Sequence, residues 1–226
     1  MSCPRLQQPP RSPDEQVYLR THRRRYALLL DLVGDLGPKR ILVVGPSFES
    51  ALLRERFPDA TVDTLGWLDH RFPLREGEHH VQLDLNSGEY PELEPHDVVV
   101  CCEVIEHLHV PAARVLGFLA TGIAPGGHLI VQTPNATALP KRIRMLLGRN
   151  PYEPIRDEPG NPGHFHEYTL PELRAAVEDA GLVVSRLLTA NYFDHGSRKN
   201  RAYRAVGRLL PGTLREGITV VARAGR

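Results

Sequence analysis

Two glutamates and a histidine with the spacing of one helical face stand near the middle of the chain. They are Glu103, Glu106 and His107, at positions i, i+3 and i+4. If the turn that carries them is helical, their side chains share one face. Two carboxylates and an imidazole can then bind a divalent metal, with His164 from a distant loop as a fourth ligand, and this mixed set suits Mn²⁺, Fe²⁺, Co²⁺ or Zn²⁺ better than Mg²⁺. Without a metal, His107 or His164 can act as a general base, since an imidazole titrates near neutral pH.

The Glu and His residues lie inside a β-α-β unit that runs from Asp97 to Asn135. Val98 to Val100 and Leu129 to Val131 are continuous apolar runs, the pattern of parallel strands covered on both faces. Between them, Val110 to Gly122 carries apolar residues at helical spacing, and a Pro-Gly-Gly turn leads into the second strand. Ligands of such sheets bind beyond the carboxyl ends of the strands, where the Glu and His side chains are expected.

Further helices and strands are predicted from apolar runs, helix caps and turns. We expect a helix from Asp14 to Leu36 with Ser12 or Asp14 near its cap, and another from Phe48 to Phe57 capped by Ser47. The other expected strands are Arg40 to Val44, Thr61 to Leu65, Val81 to Leu83, one that begins at Leu187, and Ile218 to Ala222.

Three segments stand apart from this alternation. Met1 to Pro13 contains four prolines and little to bury, so we expect it to be disordered and the single domain to span 14–226. Ala136 to Pro162 is a long insertion with a basic amphipathic helix from Pro140 to Leu147. Connections of this length are uncommon unless they act as lids or binding loops, so we expect the insertion to cover the ligand site. Near the end of the chain, 198–210 is a basic segment.

The motifs of the chain resemble those of a known family. The EVIEHL turn at 103–108, the PGG turn at 125–127 and the TPN strand end at 133–135 resemble the region after the fourth strand of class I S-adenosylmethionine-dependent methyltransferases. Downstream, GHFHEYT at 163–169, PEL at 171–173 and AGL at 180–182 are similar to a later stretch of that family, and the resemblance covers roughly Lys39 to Ala224. It implies a doubly wound, Rossmann-like α/β fold with a mostly parallel seven-stranded sheet, helices on both faces and an antiparallel last strand.

The same resemblance implies S-adenosylmethionine as cofactor. The cofactor-binding residues that it assigns are Gly45, Ser47, Asp69, Asp84, Leu85 and Glu103. Gly66 stands where the family usually has its ribose-binding acid. Asp69 is expected to substitute for it in preference to Asp63, because loop residues beyond the strand end face the ligand. Asp84 matches the adenine-contacting acid, with Leu85 against the ring, although capping of its own loop also explains Asp84.

The glycine-rich turn after the first strand departs from the family pattern. The family has D-V-G-x-G-x-G, whereas 43–49 reads VVGPSFE, so Gly45 alone is kept and the later glycines are Ser47 and Glu49. A glycine in that turn lets backbone N–H groups approach the cofactor. This departure leaves open a non-catalytic protein on the same fold.

Several functions follow from the resemblance. The leading one is methyl transfer to a hydroxyl of a small-molecule or glycan- or lipid-linked acceptor. The metal-dependent branch, which includes ubiquinone-pathway O-methyltransferases and small-RNA 2′-O-methyltransferases, implies Glu103, Glu106, His107 and His164 as metal ligands. We favour the version without a metal, in which His107 or His164 is the general base. An RNA acceptor is the minority choice, because no aromatic residues alternate with the basic ones. A nicotinamide-dependent oxidoreductase ranks last, because the first turn lacks G-x-G-x-x-G.

The composition of the chain does little to decide between these functions. The 226 residues suffice for one core, and a net charge of +1 gives no overall field for nucleic acid or membranes. Cys101 and Cys102 are expected to be packed on a buried strand, and no stretch is long and apolar enough to span a membrane. We expect a cytoplasmic protein, and the oligomeric state stays open. The arginines of the first helix are interpreted as a solvated face rather than a phosphate site; they are Arg20, Arg23, Arg24 and Arg25.

Overall fold

A computed structural model of the chain describes residues 12–158, 162–194, 196, 203, 207 and 209–225. We expected Met1 to Pro13 to be disordered. Residues 1–11 lie outside the described part of the chain, and for Ser12 and Pro13 the expectation is wrong, because they begin the first helix. Ser12 caps the first helix, since its hydroxyl accepts from the N–H of Glu15 and the Glu15 carboxylate accepts from the N–H of Ser12. Pro13 suits the first helical position, where its missing N–H would have no partner.

The predicted helices and strands are present, with bounds that differ by a few residues. The helices are α1 (Pro13–Leu36), α2 (Phe48–Arg56), α3 (Ala112–Thr121), α4 (Leu139–Leu146) and α5 (Leu170–Asp179). The strands are β1 (Arg40–Val44), β2 (Thr61–Gly66), β3 (His80–Gln82), β4 (His96–Cys102), β5 (Ile123–Pro134), β6 (Leu182–Ala190) and β7 (Gly217–Ala224). The strand expected from Leu187 thus begins earlier, and the basic segment 198–210 lies mostly outside the described residues. Within the described part of the chain, no helix has the length and apolar character needed to cross a bilayer.

All seven strands form one sheet in the order β3-β2-β1-β4-β5-β7-β6. β7 runs antiparallel to both β5 and β6, and the other pairings are parallel. This confirms the doubly wound, Rossmann-like α/β fold with a mostly parallel seven-stranded sheet. The strand order reverses between β1 and β4, and the crevice at their carboxyl ends is where ligands of such sheets bind.

Helices cover both faces of the sheet. Successive residues of β1, β4 and β5 alternate between two hydrophobic clusters, and nearly all of them are buried. One cluster packs against α3 and α5, and the other against α1 and α2. Cys101 and Cys102 are buried free thiols on β4, as expected for small packed residues. The continuous apolar runs of the sequence therefore reflect strands with no solvent-facing side.

The Pro-Gly-Gly segment lies inside β5 instead of preceding it. Ile123 pairs with His96, and pairing resumes two residues further along β4 but five further along β5, between Val98 and His128. The extra residues bulge out of the ladder, with a left-handed φ of 81° at Gly126. A Cβ at Gly127 would lie 2.8 Å from the carbonyl oxygen of Asp97, so the bulge needs a glycine there as well.

A buried ionic cluster joins β1, β2 and β4. The carboxylate of Asp63 accepts from His96 Nε2 at 2.9 Å, from Arg40 Nη2 at 3.1 Å and from the N–H of His79 at 2.8 Å. Burial alone would raise the pKa of Asp63, but these hydrogen bonds outweigh it and lower the pKa to about 2. Arg40 and His96 are the first residues of their strands, so the cluster stabilises the amino-terminal edge of the sheet, away from the ligand crevice.

Candidate active site

The turn after β4 is only partly helical. A 3₁₀ helix spans Ile105–His107, and Glu103 precedes it with a φ of 54°. Among the described residues Glu103 alone is a non-glycine residue with a positive φ, a conformation that costs energy and often occurs at functional sites. The expected single face of Glu103, Glu106 and His107 is therefore wrong, because the left-handed residue points the Glu103 side chain elsewhere.

Glu106, His107 and His164 do come together. One nitrogen or oxygen atom of each lies within 4.8 Å of the others, and the two imidazole rings are 4.7 Å apart between centroids, edge to face. His164 is brought there because the N–H groups of Phe165 and His166 donate to the carbonyl oxygen of Glu106 at 2.8 and 3.3 Å. The pairing of His107 with His164 is thus a property of the tertiary structure, and Glu103 is absent from this group.

The orientation of the His107 ring is determined by one hydrogen bond. Its Nδ1 lies 2.7 Å from the carbonyl oxygen of Gly163. A carbonyl can only accept, so Nδ1 carries the proton and Nε2 of the neutral ring keeps its lone pair. His107 is thereby prepared to accept a proton at Nε2.

His164 has carboxylates at both ring nitrogens. Nδ1 lies 2.9 Å from Glu167 Oε1, and Nε2 lies 3.2 Å from Glu153 Oε2. Burial and the neighbouring His107 nevertheless lower the pKa of His164 to about 4. Glu167 also pairs with Lys141, whose pKa is lowered to about 8 by burial. A neutral imidazole has one N–H, so His164 donates to only one of these carboxylates. With a carboxylate beside each nitrogen, His164 is better placed to position its neighbours than to take a proton from a substrate.

The two glutamates of the turn are buried and incompletely paired. Glu106 accepts from Thr133 Oγ1 at 3.0 Å through Oε2, while Oε1 has no hydrogen-bond partner within the described residues. Oε1 of Glu103 likewise has none there. Burial raises the pKa of both carboxyl groups above the usual range. Buried acceptors without partners are rare in proteins and indicate that a ligand, an ion or a proton completes the site.

The donor set meets the requirements of a metal site in part. Glu106, His107 and His164 offer one carboxylate and two imidazoles within reach of one another, and the unpartnered Oε1 of Glu106 is free to ligate. The four ligands that the resemblance implies, Glu103, Glu106, His107 and His164, do not all come together, because Glu103 lies outside the group.

The turn after β1 keeps the backbone freedom that a cofactor needs. Gly45 has a φ of 81°, and nothing lies within 4 Å of where its Cβ would be. Gly66, at the end of β2, has a φ of 125°. The N–H of Gly45 donates to Leu65 O at 2.7 Å, so it is not available to a ligand.

A cavity of about 380 Å³ opens beside this turn and brings two predicted cofactor residues together. Ser47 and Asp69 both line it, as do Tyr18 of α1 and Glu49 of α2. Asp69 forms a bidentate pair with Arg71, at 3.1 Å from Oδ1 to Nε and 2.7 Å from Oδ2 to Nη2. The carboxylate is thus held at the cavity wall.

Asp84 and Leu85 lie in the loop after β3. Asp84 is exposed and accepts from the N–H of Asn86 at 2.9 Å, which is the loop-capping alternative. Leu85 is 6% exposed and belongs to the hydrophobic core, so its side chain has a packing role in this structure. Neither residue lines the cavity that holds Ser47 and Asp69.

Arg25 was missed by the sequence analysis. Arg20, Arg23 and Arg24 are exposed as expected, whereas Arg25 is fully buried, and its Nη1 lies 2.6 Å from Glu49 Oε1. Neither terminal nitrogen of Arg25 has an aligned hydrogen-bond partner among the described residues. Burial alone would lower the pKa of Arg25, but the nearby carboxylates of Glu49 and Glu103 raise it well above the usual value.

A signal for Arg25 was present in the sequence. Positions 25, 26, 29, 32 and 33 of α1 are buried and share one face, and the apolar members of that face could have placed Arg25 on it. Glu49, at a position where the resembled family has glycine, is its partner.

The chain is similar to known methyltransferases. A family model described as a methyltransferase domain matches residues 20–187. The ubiquinone biosynthesis O-methyltransferase of Aeromonas salmonicida is 33% identical over 174 residues, which are 73% of this chain and 71% of that protein. A probable S-adenosylmethionine-dependent methyltransferase of Mycolicibacterium smegmatis is 34% identical over 161 residues, 70% of this chain and 49% of that protein.

Solved structures show the same fold. An S-adenosylmethionine-dependent methyltransferase from Clostridium acetobutylicum has a TM-score of 0.61 at 10% identity and covers 94% of this chain and 98% of its own. Magnesium protoporphyrin IX methyltransferase from Synechocystis, with S-adenosylhomocysteine bound, has a TM-score of 0.57 at 13% identity and covers 96% of this chain and 89% of its own.

Proposed function

The chain belongs to the class I S-adenosylmethionine-dependent methyltransferases, and from that premise we propose that it methylates a hydroxyl group with His107 as general base. The observation that carries this proposal is the hydrogen bond from His107 Nδ1 to the carbonyl oxygen of Gly163. It leaves Nε2 with a lone pair just beyond the carboxyl end of β4, where ligands of such sheets bind.

The proposed reaction requires one proton acceptor. The acceptor oxygen attacks the methyl carbon of the sulfonium, the carbon–sulfur bond breaks, and S-adenosylhomocysteine leaves as a neutral thioether. The hydroxyl proton passes to Nε2 of His107, and the resulting imidazolium lies near the carboxylate of Glu106. An amine acceptor would need this base less, since a neutral amine attacks without prior loss of a proton.

The buried charges around α1 fit the amino-acid end of the cofactor. That end carries one carboxylate and one ammonium group. The two terminal nitrogens of Arg25 lack aligned partners among the described residues and suit the carboxylate, while the carboxylates of Glu49 and Glu103 suit the ammonium group. The ribose hydroxyls would then lie toward Asp69 in the cavity, and Gly45 permits close approach of the chain between them.

A metal-assisted version of the same transfer is the second candidate. It is favoured by the approach of Glu106, His107 and His164 to within 4.8 Å of one another. A divalent ion held by these side chains would lower the pKa of the acceptor hydroxyl and orient it. In that version His107 would be a ligand through Nε2, with the ring held by the hydrogen bond between its Nδ1 and the carbonyl oxygen of Gly163.

A small-molecule or glycan- or lipid-linked hydroxyl compound is the proposed acceptor class. Relatives named ubiquinone biosynthesis O-methyltransferase support a small molecule. An RNA acceptor has less support, since the exposed large apolar residues of the described chain include a single tryptophan and few other aromatic rings for base stacking.

The test is transfer of a tritiated methyl group from S-adenosylmethionine to pairs of acceptors that differ in one atom. Catechol and phenol should be labelled in preference to the matched anilines, and a chelator should leave the rate unchanged if His107 alone is the base. Loss of activity with the chelator, restored by Mn²⁺ or Mg²⁺, would replace the first version with the second. Preferential labelling of the anilines would contradict both.

A further inference from the structure

A second cavity, of about 290 Å³, opens between α1 and the carboxyl end of β6; we call it the β6 cavity. Thr189 and Ala190, the last residues of β6, line it together with Arg24 and Leu28 of α1. None of its described lining residues belongs to the cavity that contains Ser47 and Asp69. Its volume is at the lower end for small-molecule sites, which run from about 300 Å³ upward, so it suits one compact group of a ligand.

The β6 cavity lies at the same edge of the sheet as the candidate active site. β4 and β5 are parallel, and β7 is antiparallel to both β5 and β6, so β6 runs in the direction of β4. The carboxyl ends of β4 and β6 therefore share the edge at which ligands of such sheets bind. β5 and β7 lie between these two strands, and three strand spacings of about 4.8 Å place the β6 cavity roughly 14 Å from the turn that carries His107.

The lining of the β6 cavity is positively charged. Of the described residues that line it, Arg24 and Arg215 carry a charge, and none is acidic. Arg215 Nη1 donates to the carbonyl oxygen of Thr189 at 3.1 Å, and Nη2 donates to that of Leu210 at 3.3 Å. These bonds hold the guanidinium in place through neutral acceptors. Arg24 is exposed and forms no ion pair with the described part of the chain, so its guanidinium is available to a ligand.

Asn191 adds a hydrogen-bond donor to the same wall. Its Oδ1 accepts from the N–H of Glu216 at 3.2 Å, so the group that it can offer to a ligand is its NH₂. The carboxylate of Glu216 accepts from the N–H of Phe193 at 3.3 Å, and Glu216 does not line the cavity. Two guanidinium groups and an amide NH₂ supply donors and positive charge, which are the requirements for binding a phosphate group.

We propose that the β6 cavity binds the phosphate group of a small molecule. Arg24 and Arg215 contact phosphate oxygens from two different elements, and the NH₂ of Asn191 donates to another. A carboxylate fits less well, because its two oxygens lie in one plane, whereas the oxygens of a phosphate are arranged tetrahedrally and can meet donors from several directions. If the chain methylates a hydroxyl, this phosphate belongs to the acceptor and anchors it at the edge that carries His107; this consequence rests on the proposed function.

The test is isothermal titration calorimetry of the full chain with inorganic phosphate. Saturable binding is expected, and Arg24→Gln should weaken it about 10-fold, the lower end for a charge-assisted hydrogen bond because Arg24 is exposed. Arg23→Gln is the matched control, since it removes the same charge from the neighbouring position of α1 but Arg23 does not line the cavity. This control should bind phosphate as the parent does. Thermal melting shows that each variant is folded.

Three results would overturn the proposal: no saturable binding, parental affinity in Arg24→Gln, or equal weakening in Arg23→Gln and Arg24→Gln. The last would mean that phosphate responds to the general charge of α1. Glucose 1-phosphate distinguishes two sources of the phosphate group. Competition with inorganic phosphate would support an organic ligand such as the acceptor, and failure to bind would restrict the site to the free anion and reject the consequence for the acceptor. Phosphate binding by a chain that does not bind S-adenosylhomocysteine would reject the proposed function and leave the phosphate site in place.

Discussion

Replacing Arg25 with glutamine should weaken both the fold and the cofactor site. The Arg25 and Glu49 side chains are 0% and 7% exposed, and their charges are 2.6 Å apart. Removing one partner leaves the other charge buried without compensation, which costs about 3–5 kcal/mol. Since a domain of this kind has a total stability of about 5–15 kcal/mol, the single variant is expected to be marginally folded at best.

A double variant separates stability from binding. In Arg25→Met with Glu49→Gln both members of the ion pair are removed together, so the free energy of unfolding should return to within about 2 kcal/mol of the parent. The proposed contact of Arg25 with the cofactor carboxylate is still missing, and so is that of Glu49 with the ammonium group, so the loss of the Arg25 contact alone gives a lower bound on the effect. A charge-assisted hydrogen bond is worth about 1.5–3 kcal/mol, so the dissociation constant for S-adenosylhomocysteine should rise roughly 10- to 150-fold.

The assay uses the single tryptophan of the chain. Trp67 is 69% exposed in the loop between β2 and Asp69, beside the proposed ribose site, so its fluorescence should report S-adenosylhomocysteine binding. Arg24→Gln is the matched control, because Arg24 is the exposed neighbour of Arg25 and should affect neither stability nor binding. A stable double variant that binds S-adenosylhomocysteine as tightly as the parent would refute the role given to Arg25.

Three more predictions concern the base, the ionic cluster and the glycines. His107→Gln should slow methyl transfer to a hydroxyl acceptor by about 100- to 10,000-fold while S-adenosylhomocysteine affinity is unchanged, and a parental rate would exclude it as the base. The pKa of Asp63 is lowered from 3.8 to about 2 in the folded protein, so the ionised carboxylate stabilises the folded state. This contribution to the free energy of unfolding is complete above about pH 5 and is lost as the pH falls to 2. Urea titrations at these two pH values should show the parent losing about 2 kcal/mol more than Asp63→Asn, and equal losses would contradict that origin. Gly117 in α3 has open space around its Cβ position, so Gly117→Ala should raise the free energy of unfolding by about 0.5–1 kcal/mol. In Gly127→Ala the new Cβ would lie 2.8 Å from a backbone oxygen, so this variant should have a lower free energy of unfolding. The reverse order in the same urea titrations would contradict this packing.

The local pattern of the chain was enough to predict which segments form strands and helices, whereas the resemblance to the methyltransferase family implied the seven-stranded doubly wound sheet. Continuous apolar runs such as Val98 to Val100 predicted strands buried on both faces, and such strands require helices on either side. The EVIEHL turn at 103–108 and the glycine turn at Gly45 were expected at the carboxyl ends of these strands, and the structure places them there. These features depend on neighbours within a few residues, so sequence alone reveals them.

Several parts of the candidate site depended on contacts between distant residues. His164 meets His107 because backbone N–H groups of its loop bind the carbonyl of Glu106, and nothing in the spacing of the sequence encodes that contact. Glu103 has a left-handed backbone and does not lie with Glu106, His107 and His164, the group that could hold a metal.

The expectation that Arg25 is exposed to solvent was wrong, because its environment also depends on contacts between distant residues. Arginine in an arginine-rich stretch is usually solvated, and its burial became favourable only because Glu49 and Glu103 from two other elements lie beside it. Leu85 was expected to contact the cofactor, and in the structure its side chain packs in the hydrophobic core. The sequence by itself determined which segments form strands and helices, since this depends on local periodicity. The tertiary structure decided which polar groups are buried and paired, because the energy of a buried charge depends on partners that only folding brings near.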